Sequence, residues 1–319
     1  MELIRYSYNL KSRHRGCVAT IGNYDGIHLG HQAVLRQLKR HAEVMGLPAL
    51  VITFEPHPQE FFNVNKAPTR ITSFREKLEM LKQQDIDRVL CLRFQQGVAD
   101  LSAEQFIEQA LVGDLSIKRL IIGDDFKFGK NRRGDYQMLR EFGQRLGFDV
   151  ILTETHRLDG DRVSSSSIRA RLQESRFEDA QLLLGRYFSI SGRVAHGAAR
   201  GRQLGFPTAN INLGKRHVPL RGVFAVSVKG AGEKTHLGVA NLGTRPVFED
   251  TKLLLEAHLF DFDQMIYGRH ISVEFFKRLR DERKFSSIDE LVAQIAADIS
   301  IAREFFKIQG TSKNALGGA

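Results

Sequence analysis

Between residues 16 and 152, short apolar runs alternate with segments in which apolar residues recur at helical spacing. The runs have the length and composition of buried strands, and they lie at 18–21, 49–54, 88–92, 119–123 and 149–152. Between the first two runs, one helical face carries Val34, Leu35, Leu38, Ala42 and Met45. This β-α-β order predicts a parallel sheet covered by helices on both faces, the α/β architecture of a Rossmann-like domain.

The pattern changes after a helical segment at 177–184, where short β-rich runs are separated by glycine and polar turns. These runs lie at 188–194, 223–228, 237–242, 253–259 and 271–276, and they predict a small antiparallel barrel. A last helix follows, with a capping box of Ser287 and Glu290. Its apolar stripe comprises Ile288, Leu291, Ile295, Ile299, Ala302 and Phe306.

The length of the chain also favours two domains, because 319 residues exceed the size at which a single core usually stops growing. The change of pattern near 185–188 predicts an N-terminal domain of residues 1–186 and a barrel domain of residues 187–308. The remaining segment, 309–319, is small and polar, and we expect it to be a disordered tail.

Composition excludes several classes of protein. No apolar run is long enough to span a bilayer, and the N-terminus lacks the features of a secretory signal, so we expect a cytoplasmic protein that does not bind membranes. The two cysteines, Cys17 and Cys91, each lie in a strand-like run, which disfavours a disulfide or a zinc site. The net charge of +10 suits an acidic partner, and phosphorylated small molecules meet that description as well as nucleic acid does.

The most informative segment is 22–31, which reads GNYDGIHLGH and joins the first predicted strand to the first predicted helix. Glycines allow a phosphate to approach the backbone, and a helix N-terminus offers free N–H groups and partial positive charge. His28 and His31 are three residues apart, so both can face a bound triphosphate and stabilise charge at its α-phosphorus. The candidate ATP-binding residues here are Gly22, Asn23, Tyr24, Asp25, Gly26, His28, Gly30 and His31.

Two other interpretations of the histidine pair remain open: a metal pair, or polar residues that cap a helix. A P-loop is rejected, because the nearest candidate, 123–130, has one residue too many between its glycines and continues to Asn131 where serine or threonine should bind magnesium.

Three further segments should meet the glycine loop at the carboxyl edge of the sheet. They are TFEPHP at 53–58, GDDFKFG at 123–129 and SSSSIR at 164–169. In the last, Ser164 and Ser165 offer hydroxyls and helix N–H groups to phosphate, and Arg169 offers a bidentate guanidinium; a serine run before a helix is also an ordinary N-cap.

In the second half, glycines at 197, 201 and 205 suggest a flexible flap. Candidate ATP-binding residues of this half are Gly197, Arg200, Gly201, Arg202, Thr208 and Asn210. The Thr208 hydroxyl and the Asn210 carbonyl are hard oxygen ligands suited to a magnesium ion that carries phosphates. The competing interpretation is a Gly-rich hairpin that Pro207 ends.

Glu256 lies at an alternating position in the apolar run 253–259. Phosphoryl transfer to an alcohol requires a carboxylate that accepts the hydroxyl proton, and Glu256 is the best candidate in this half. An outward-facing, solvated glutamate is the alternative.

Taken together, segments 23–31, 53–58, 123–129 and 164–169 resemble, in order, the motifs of the bacterial bifunctional riboflavin kinase/FMN adenylyltransferase family. Segments 201–210, 241–246, 261–268 and 280–285 resemble its kinase module. The resemblance implies a nucleotidyltransferase domain followed by a six-stranded antiparallel barrel with a C-terminal helix. It also implies two reactions that use ATP with Mg²⁺: riboflavin gives FMN and ADP in the barrel, and FMN gives FAD and pyrophosphate in the N-terminal domain.

The resemblance also implies roles for single residues. His28 and His31 contact ATP phosphates, assisted by Ser164, Ser165 and Arg169; Thr208 and Asn210 hold magnesium; and Glu256 is the general base. The flavin lies near Phe62, Asp125 and Phe128 in one domain and near Arg280 in the other. Tyr24, Ser166 and Val247 depart from the common family pattern, with reduced fit expected at Val247.

Two alternatives remain beside this interpretation. One keeps the adenylylation and changes the acceptor, and the barrel motifs disfavour it. The other takes the basic surface as a nucleic-acid-binding face, although the basic stretches 127–133 and 200–202 belong to glycine loops and not to an aromatic stacking platform. We therefore expect no nucleic-acid partner.

Overall fold

A computed structural model describes residues 1–63, 66–196, 201, 204–214, 216–247 and 250–316 of the chain. Its contacts separate into two compact units. The first comprises Met1–Pro68 and Thr72–Ser167, and the second comprises Thr69–Ile71 and Ile168–Ala319. Each unit is described by itself below.

The first unit is built on a six-stranded sheet in which every pairing is parallel. Its strands are β1 (Glu2–Arg5), β2 (Val18–Ile21), β3 (Ala49–Glu55), β4 (Arg88–Arg93), β5 (Arg119–Gly123) and β6 (Asp149–Thr153), in the order β1-β4-β3-β2-β5-β6. From β2 the chain builds outward through β3 and β4 on one side and through β5 and β6 on the other. The loop after β2 therefore leaves the sheet where the strand order reverses, which is the ordinary ligand position in such sheets.

Helices connect these strands. They are α1 (Leu29–Met45), α2 (Pro58–Phe62), α3 (Phe74–Gln83), α4 (Gln96–Ala99), α5 (Ala103–Gln105), which continues as a π-helix over Phe106–Asp114, and α6 (Tyr136–Leu146). Short 3₁₀ turns occupy Ser7–Asn9, Ser12–His14 and Lys130–Arg132, and a hairpin of β7 (Arg157–Leu158) and β8 (Asp161–Arg162) precedes α7 (Ser165–Gln173). Apolar side chains cover both faces of the sheet in two separate buried clusters, as the near-continuous apolar strands predict.

The second unit contains a closed antiparallel barrel. Its strands are β9 (Ser189–Ala195), β10 (Ala209–Gly214), β11 (Gly222–Lys229), β12 (His236–Val247), β13 (Asp250–Leu259) and β14 (His270–Arg280), in the order β10-β13-β12-β11-β14-β9. Pairing of β9 with β10 closes it. Residues of alternating position fill the interior, among them the fully buried Phe224 and Phe275, whose ring centroids are 5.3 Å apart.

Two helical elements cover parts of this barrel. In α8 (Phe177–Leu184), the ring of Phe177 packs edge-on against Phe224 at 5.9 Å. The last helix, α9 (Ile288–Leu316), packs Ala302 and its neighbours against Ala225, Val239 and Phe260. Ile288 does not join this contact, because it is 66% exposed at the first turn of the helix.

The predicted fold class is confirmed: a parallel α/β sheet precedes a six-stranded antiparallel barrel with a terminal helix. Two strands were not located from the pattern. β1 lies at the start of the chain and pairs with β4, and β10 directly follows the glycine-rich stretch that was interpreted as a flap. The predicted domain boundary between residues 186 and 187 stays a prediction. The last helix, α9, extends to Leu316 and so includes residues that were predicted to belong to a tail starting at 309.

Candidate active sites

The glycine loop and the start of α1 form the first candidate site. His28 is the N-cap of α1, and its Nδ1 accepts a hydrogen bond from the backbone N–H of His31 at 3.2 Å. The two imidazole rings stack with centroids 3.7 Å apart. His28 thus caps α1, as one interpretation of the sequence expected, while the ATP-phosphate and metal-pair interpretations of the two histidines stay predictions.

Buried polar contacts fix the conformation of this loop. Asp25 accepts hydrogen bonds from the backbone N–H and the hydroxyl of Thr72 at 2.9 and 3.1 Å, and the same hydroxyl accepts from Gly26 N at 3.0 Å. The hydroxyl of Ser165 donates to the backbone carbonyl of Asp25 at 2.9 Å. The loop after β2 is thus attached to the chain before α3 and to the start of α7.

Close packing explains two of the glycines. A Cβ at Gly30 would lie 3.2 Å from the His28 ring and 3.3 Å from the carbonyl oxygen of Val163, and a Cβ at Gly22 would lie 3.0 Å from the Tyr24 ring. Gly26 adopts a φ of 87°, in the left-handed region that favours glycine. Tyr24 itself is buried and shares a 2.7 Å hydrogen bond with the Thr20 hydroxyl, so its ring supports the loop from below.

The environment of His31 favours a neutral imidazole. Burial lowers the pKa of His31 well below its ordinary value, and the nearby His28 and Lys77 lower this pKa further. Its Nδ1 is buried and has no hydrogen-bond partner within the part of the chain that the structure describes. A buried polar atom of this kind is a natural contact for a ligand.

Other predicted residues of this half occupy distinct positions. Ser164 caps α7, since its hydroxyl accepts from the backbone N–H of Ser167 at 3.1 Å. The carboxyl end of β3 reaches the loop, where Thr53 Oγ1 lies 3.5 Å from the carbonyl oxygen of Asn23. Arg169 belongs to the second unit, where its Nε donates to the carbonyl of Thr69 at 2.6 Å. Its predicted contact with ATP stays a prediction.

The three predicted flavin contacts of the first unit differ in exposure. Phe62 is 67% exposed and belongs to an aromatic group with Phe61 and Phe94, whose centroids lie 5.5 and 5.7 Å from its own. Asp125 is exposed and pairs with Arg162 at 2.5 Å. Phe128 is buried in the core, where Phe126 stacks on it at 5.5 Å. Of these rings, Phe62 is the one presented to solvent.

Sequence reasoning missed the buried lysine of α3. Lys77 is only 4% exposed, and its Nζ lies 3.4 Å from the Thr53 hydroxyl at the carboxyl end of β3. Lysines are seldom fully buried, and no motif in the sequence around Lys77 indicates that this one would be. Thr72 and Phe94 were missed as well, because neither lies in a segment with a recognisable motif.

The barrel contains the second candidate site. Asn210 in β10 is 7% exposed, and its Nδ2 lies 3.2 Å from the carbonyl and 3.4 Å from the hydroxyl of Thr208. The Oδ1 of Asn210 is buried without a partner among the described residues. An amide oxygen of this kind beside a hydroxyl fits a hard cation such as Mg²⁺. Gly201 approaches this pair closely, since a Cβ there would lie 2.5 Å from the Phe206 carbonyl oxygen and 3.5 Å from the Thr208 methyl. Gly197, Arg200 and Arg202 lie outside the described residues.

Glu256 lies on the outer face of the barrel and is half-buried. Its neighbours along β13 at alternating positions, Leu253, Leu255, Ala257 and Leu259, are at most 4% exposed and face the core. Across the strands, Glu256 is directly opposite Asn210 on β10 and Asn241 on β12. Directly opposite residues project from the same face of a sheet, so the three polar side chains form one row.

Arg280, predicted to contact flavin, is held by an acidic side chain of α9. Its guanidinium donates to both carboxylate oxygens of Asp298 at 2.9 to 3.0 Å, and the side chain of Asp298 is only 4% exposed. The described part of the chain contains no group of three or more His, Cys, Asp or Glu side chains arranged to hold a metal ion.

Comparison with known proteins assigns each half to a family. A family model for FAD synthetase matches residues 10–167, and one for riboflavin kinase matches residues 184–306. A curated protein from Escherichia coli (strain K12), the bifunctional riboflavin kinase/FMN adenylyltransferase, is 48% identical over 307 residues, which cover 96% of this chain and 98% of that protein. The chain belongs to the bifunctional riboflavin kinase/FMN adenylyltransferase family.

Another curated relative and one solved structure also match this chain over most of its length. The relative from Pseudomonas fluorescens is 47% identical over 95% of this chain and 97% of its own length. A crystal structure described as a macrolide-efflux protein from Streptococcus pneumoniae is 29% identical, with a TM-score of 0.78 over 95% of this chain and 99% of that chain. Among the residues described for this chain, no helix has both the length and the apolar character that crossing a membrane requires.

Proposed function

We propose that this chain catalyses both reactions of its family, with riboflavin kinase activity in the barrel and FMN adenylyltransferase activity in the first unit. The substrates and products are riboflavin, FMN, FAD, ATP, ADP and pyrophosphate, and we place the reactions in the cytoplasm. The family match of both halves carries this proposal. The two polar sites support it, because each has a buried polar atom available to a ligand.

In the first unit, the FMN phosphate attacks the α-phosphorus of ATP and pyrophosphate leaves. Since Nδ1 of His28 accepts from the His31 backbone, Nε2 is the ring nitrogen that donates a hydrogen bond to a phosphate oxygen in this proposal. The free N–H groups at the start of α1 add partial positive charge at the same place. His31, Ser164 and Ser165 complete the phosphate contacts of the first unit in this proposal. Tyr24 and Asp25 hold the loop, and no covalent enzyme intermediate is required.

In the barrel, the carboxylate of Glu256 accepts the proton of the riboflavin 5′-hydroxyl as that oxygen attacks the γ-phosphorus of ATP. Thr208 and Asn210 would hold Mg²⁺, which neutralises phosphate charge when bound. Asn210 lies directly opposite Glu256 on the neighbouring strand. In this proposal the γ-phosphate of ATP and the riboflavin 5′-hydroxyl therefore meet between β10 and β13. Arg280 is held by Asp298 and would contact flavin through its remaining surface.

The first experiment is incubation of the purified chain with riboflavin, ATP and Mg²⁺, followed by chromatography of the flavins over time. We expect FMN to appear before FAD. FMN without FAD, even when FMN is supplied, would mean that the first unit uses another acceptor. If no FMN forms from riboflavin and no FAD forms from supplied FMN, the proposal is wrong for both sites. Omission of Mg²⁺, with Mn²⁺ and Ca²⁺ as replacements, tests the metal.

A further inference from the structure

The row Asn210–Glu256–Asn241 contains a residue to which the mechanism above gives no role. Asn241 lies on β12, directly opposite Glu256 and on the side away from Asn210. Its amide Oδ1, like that of Asn210, is buried and lacks a hydrogen-bond partner among the residues described. Two asparagines with unsatisfied acceptors thus flank the proposed general base.

The orientation of the Asn241 amide is set by a neighbour. Its Nδ2 lies 3.4 Å from Oε1 of Glu282, whose carboxylate is packed against Gly243 so closely that a Cβ there would overlap it. If the amide were rotated by half a turn, its oxygen would face this carboxylate, and two acceptors would then be in contact. The free acceptor of Asn241 is therefore the oxygen, and its ligand must be a donor.

The chemistry of the kinase reaction identifies the donor. Thr208 and Asn210 lie on one side of Glu256, so metal and phosphates belong to that side. In phosphoryl transfer the attacking oxygen lies in line with the bond that breaks, and the rest of the alcohol extends away from the phosphates. Strands lie about 4.8 Å apart, so Asn241 is one strand spacing beyond Glu256 in this direction. The riboflavin side chain carries hydroxyl groups on the carbons next to the reacting one.

We propose that Asn241 is a substrate-binding residue of the kinase site, whose Oδ1 accepts a hydrogen bond from a ribityl hydroxyl and so places the 5′-hydroxyl beside Glu256. Glu282 is a positioning residue that fixes the amide. This inference rests on the proposed kinase function. It assigns part of the specificity for a polyhydroxylated flavin side chain to β12.

The test measures riboflavin phosphorylation by the full-length chain and by its Asn241→Ala variant. Loss of a buried hydrogen bond to substrate should lower kcat/KM for riboflavin by about 10-fold to 100-fold. The KM for ATP should stay unchanged. As a matched control, Asn212→Ala removes an exposed asparagine of β10 whose Oδ1 accepts a local bond from Gly214 N at 2.9 Å, and it should keep wild-type kinetics.

Riboflavin analogues that each lack one ribityl hydroxyl sharpen the result. With the wild type, one analogue should lower kcat/KM by as much as Asn241→Ala does with riboflavin. With the variant, the same analogue should lower kcat/KM no further. The proposal would be overturned if every analogue lowered kcat/KM by the same factor in both proteins. It would also be overturned if Asn241→Ala left the riboflavin kinetics unchanged, or if it changed only the KM for ATP.

Three further measurements separate this inference from folding and from the proposed function. Thermal unfolding of the variant checks that the barrel is folded, and adenylylation of supplied FMN by the same sample checks the first unit. The variant Asn241→Ser, which restores a small acceptor, should recover part of the activity. A wild-type chain that makes no FMN contradicts the kinase function itself. An active wild type with an equally active Asn241→Ala variant contradicts only the role of Asn241.

Discussion

The two candidate sites are assembled in different ways. In the first unit, one continuous segment after β2 supplies the glycines, the histidine pair and the helix N-terminus, and Thr72 and Ser165 hold it in place. In the barrel, Asn210, Glu256 and Asn241 come from three strands, and only the register of those strands brings them together.

This difference affects how each site fails. The functional residues of one continuous loop stay together even when the surrounding strands shift. A barrel row does not, because a slip of one residue turns every side chain of a strand to the opposite face. Such a slip would move Glu256 into the core and Leu255 onto the outer face. The barrel site should therefore depend on cross-strand packing more strongly than the loop site.

The largest expected effect is at Glu256. The variant Glu256→Gln keeps the shape and removes the carboxylate that accepts the hydroxyl proton, so riboflavin phosphorylation should fall by about 10²- to 10⁴-fold. Adenylylation of supplied FMN should be unaffected, because that site lies in the first unit. Chromatography of reactions started from riboflavin and from FMN measures both. A parallel loss of both activities would show that Glu256 supports the fold of the chain.

The reciprocal change is His28→Ala. It removes both the cap of α1 and the donor directed at ATP, and FAD formation should fall by about 10²- to 10³-fold. FMN formation from riboflavin should persist. Loss of FMN formation with normal FAD formation would reverse the assignment of the two reactions. The variant His28→Asn restores a capping acceptor without the imidazole, so its residual defect measures the contribution of the ring to catalysis.

The first site was easier to predict from the sequence than the barrel site, again because the first site is local. The segment 22–31 is local, so its position after a strand and before a helix was readable from composition and spacing. Asn241 and Glu256 are fifteen positions apart, and their pairing depends on hairpin register, which no single segment encodes. The sixth strand, β10, was hidden for a related reason: it follows a glycine-rich stretch that suggested a flap.

Buried polar residues were the least predictable part of the first unit. Thr72 bonds Asp25 across 47 positions, and Lys77 reaches Thr53 across 24. Both contacts satisfy polar groups that the fold buries at the carboxyl edge of the sheet, and their partners become evident only when the strand order is known. Five of the six strands of this sheet, in contrast, followed directly from apolar runs, as β2 and β5 illustrate, whereas β1 did not.

The variant Arg280→Ala tests whether Arg280 mainly stabilises the barrel or mainly binds flavin. Arg280→Ala would leave the buried carboxylate of Asp298 without its guanidinium, and we expect a loss of about 3 kcal/mol in unfolding free energy. Denaturant titration measures this, and the KM for riboflavin is followed in parallel. The control is Arg303→Ala in α9, which breaks the exposed pair with Asp261 and should cost much less. A raised KM with unchanged stability would favour flavin contact as the main role.

A smaller effect is expected at Thr72 in the first unit. Thr72→Val removes the hydroxyl that donates to Asp25 and accepts from Gly26 N, and the loss of these two buried hydrogen bonds should cost about 1 to 3 kcal/mol. Thermal unfolding and the rate of FAD formation should both decline, while FMN formation is preserved. Ser116→Ala, which removes a hydroxyl bound to a single carbonyl away from the loop, is the control. Normal FAD formation in Thr72→Val would show that the loop holds its conformation without this bond.

The smallest expected effect is a dependence of stability on pH that originates at His31. Because burial and nearby positive charge lower the pKa of His31 in the folded state, the unfolded chain binds the proton more readily below pH 6.5. Stability of the first unit should therefore decline as the pH falls below about 6.5, by at most about 1.4 kcal/mol per pH unit for one proton. Unfolding free energies at pH 8, 7, 6 and 5.5 measure this slope, and His31→Gln should reduce it. Partial burial and Arg119 also lower the pKa of His41, so His41→Gln is the comparison: a slope that disappears with His41→Gln and persists with His31→Gln would assign the linked proton to the far end of α1.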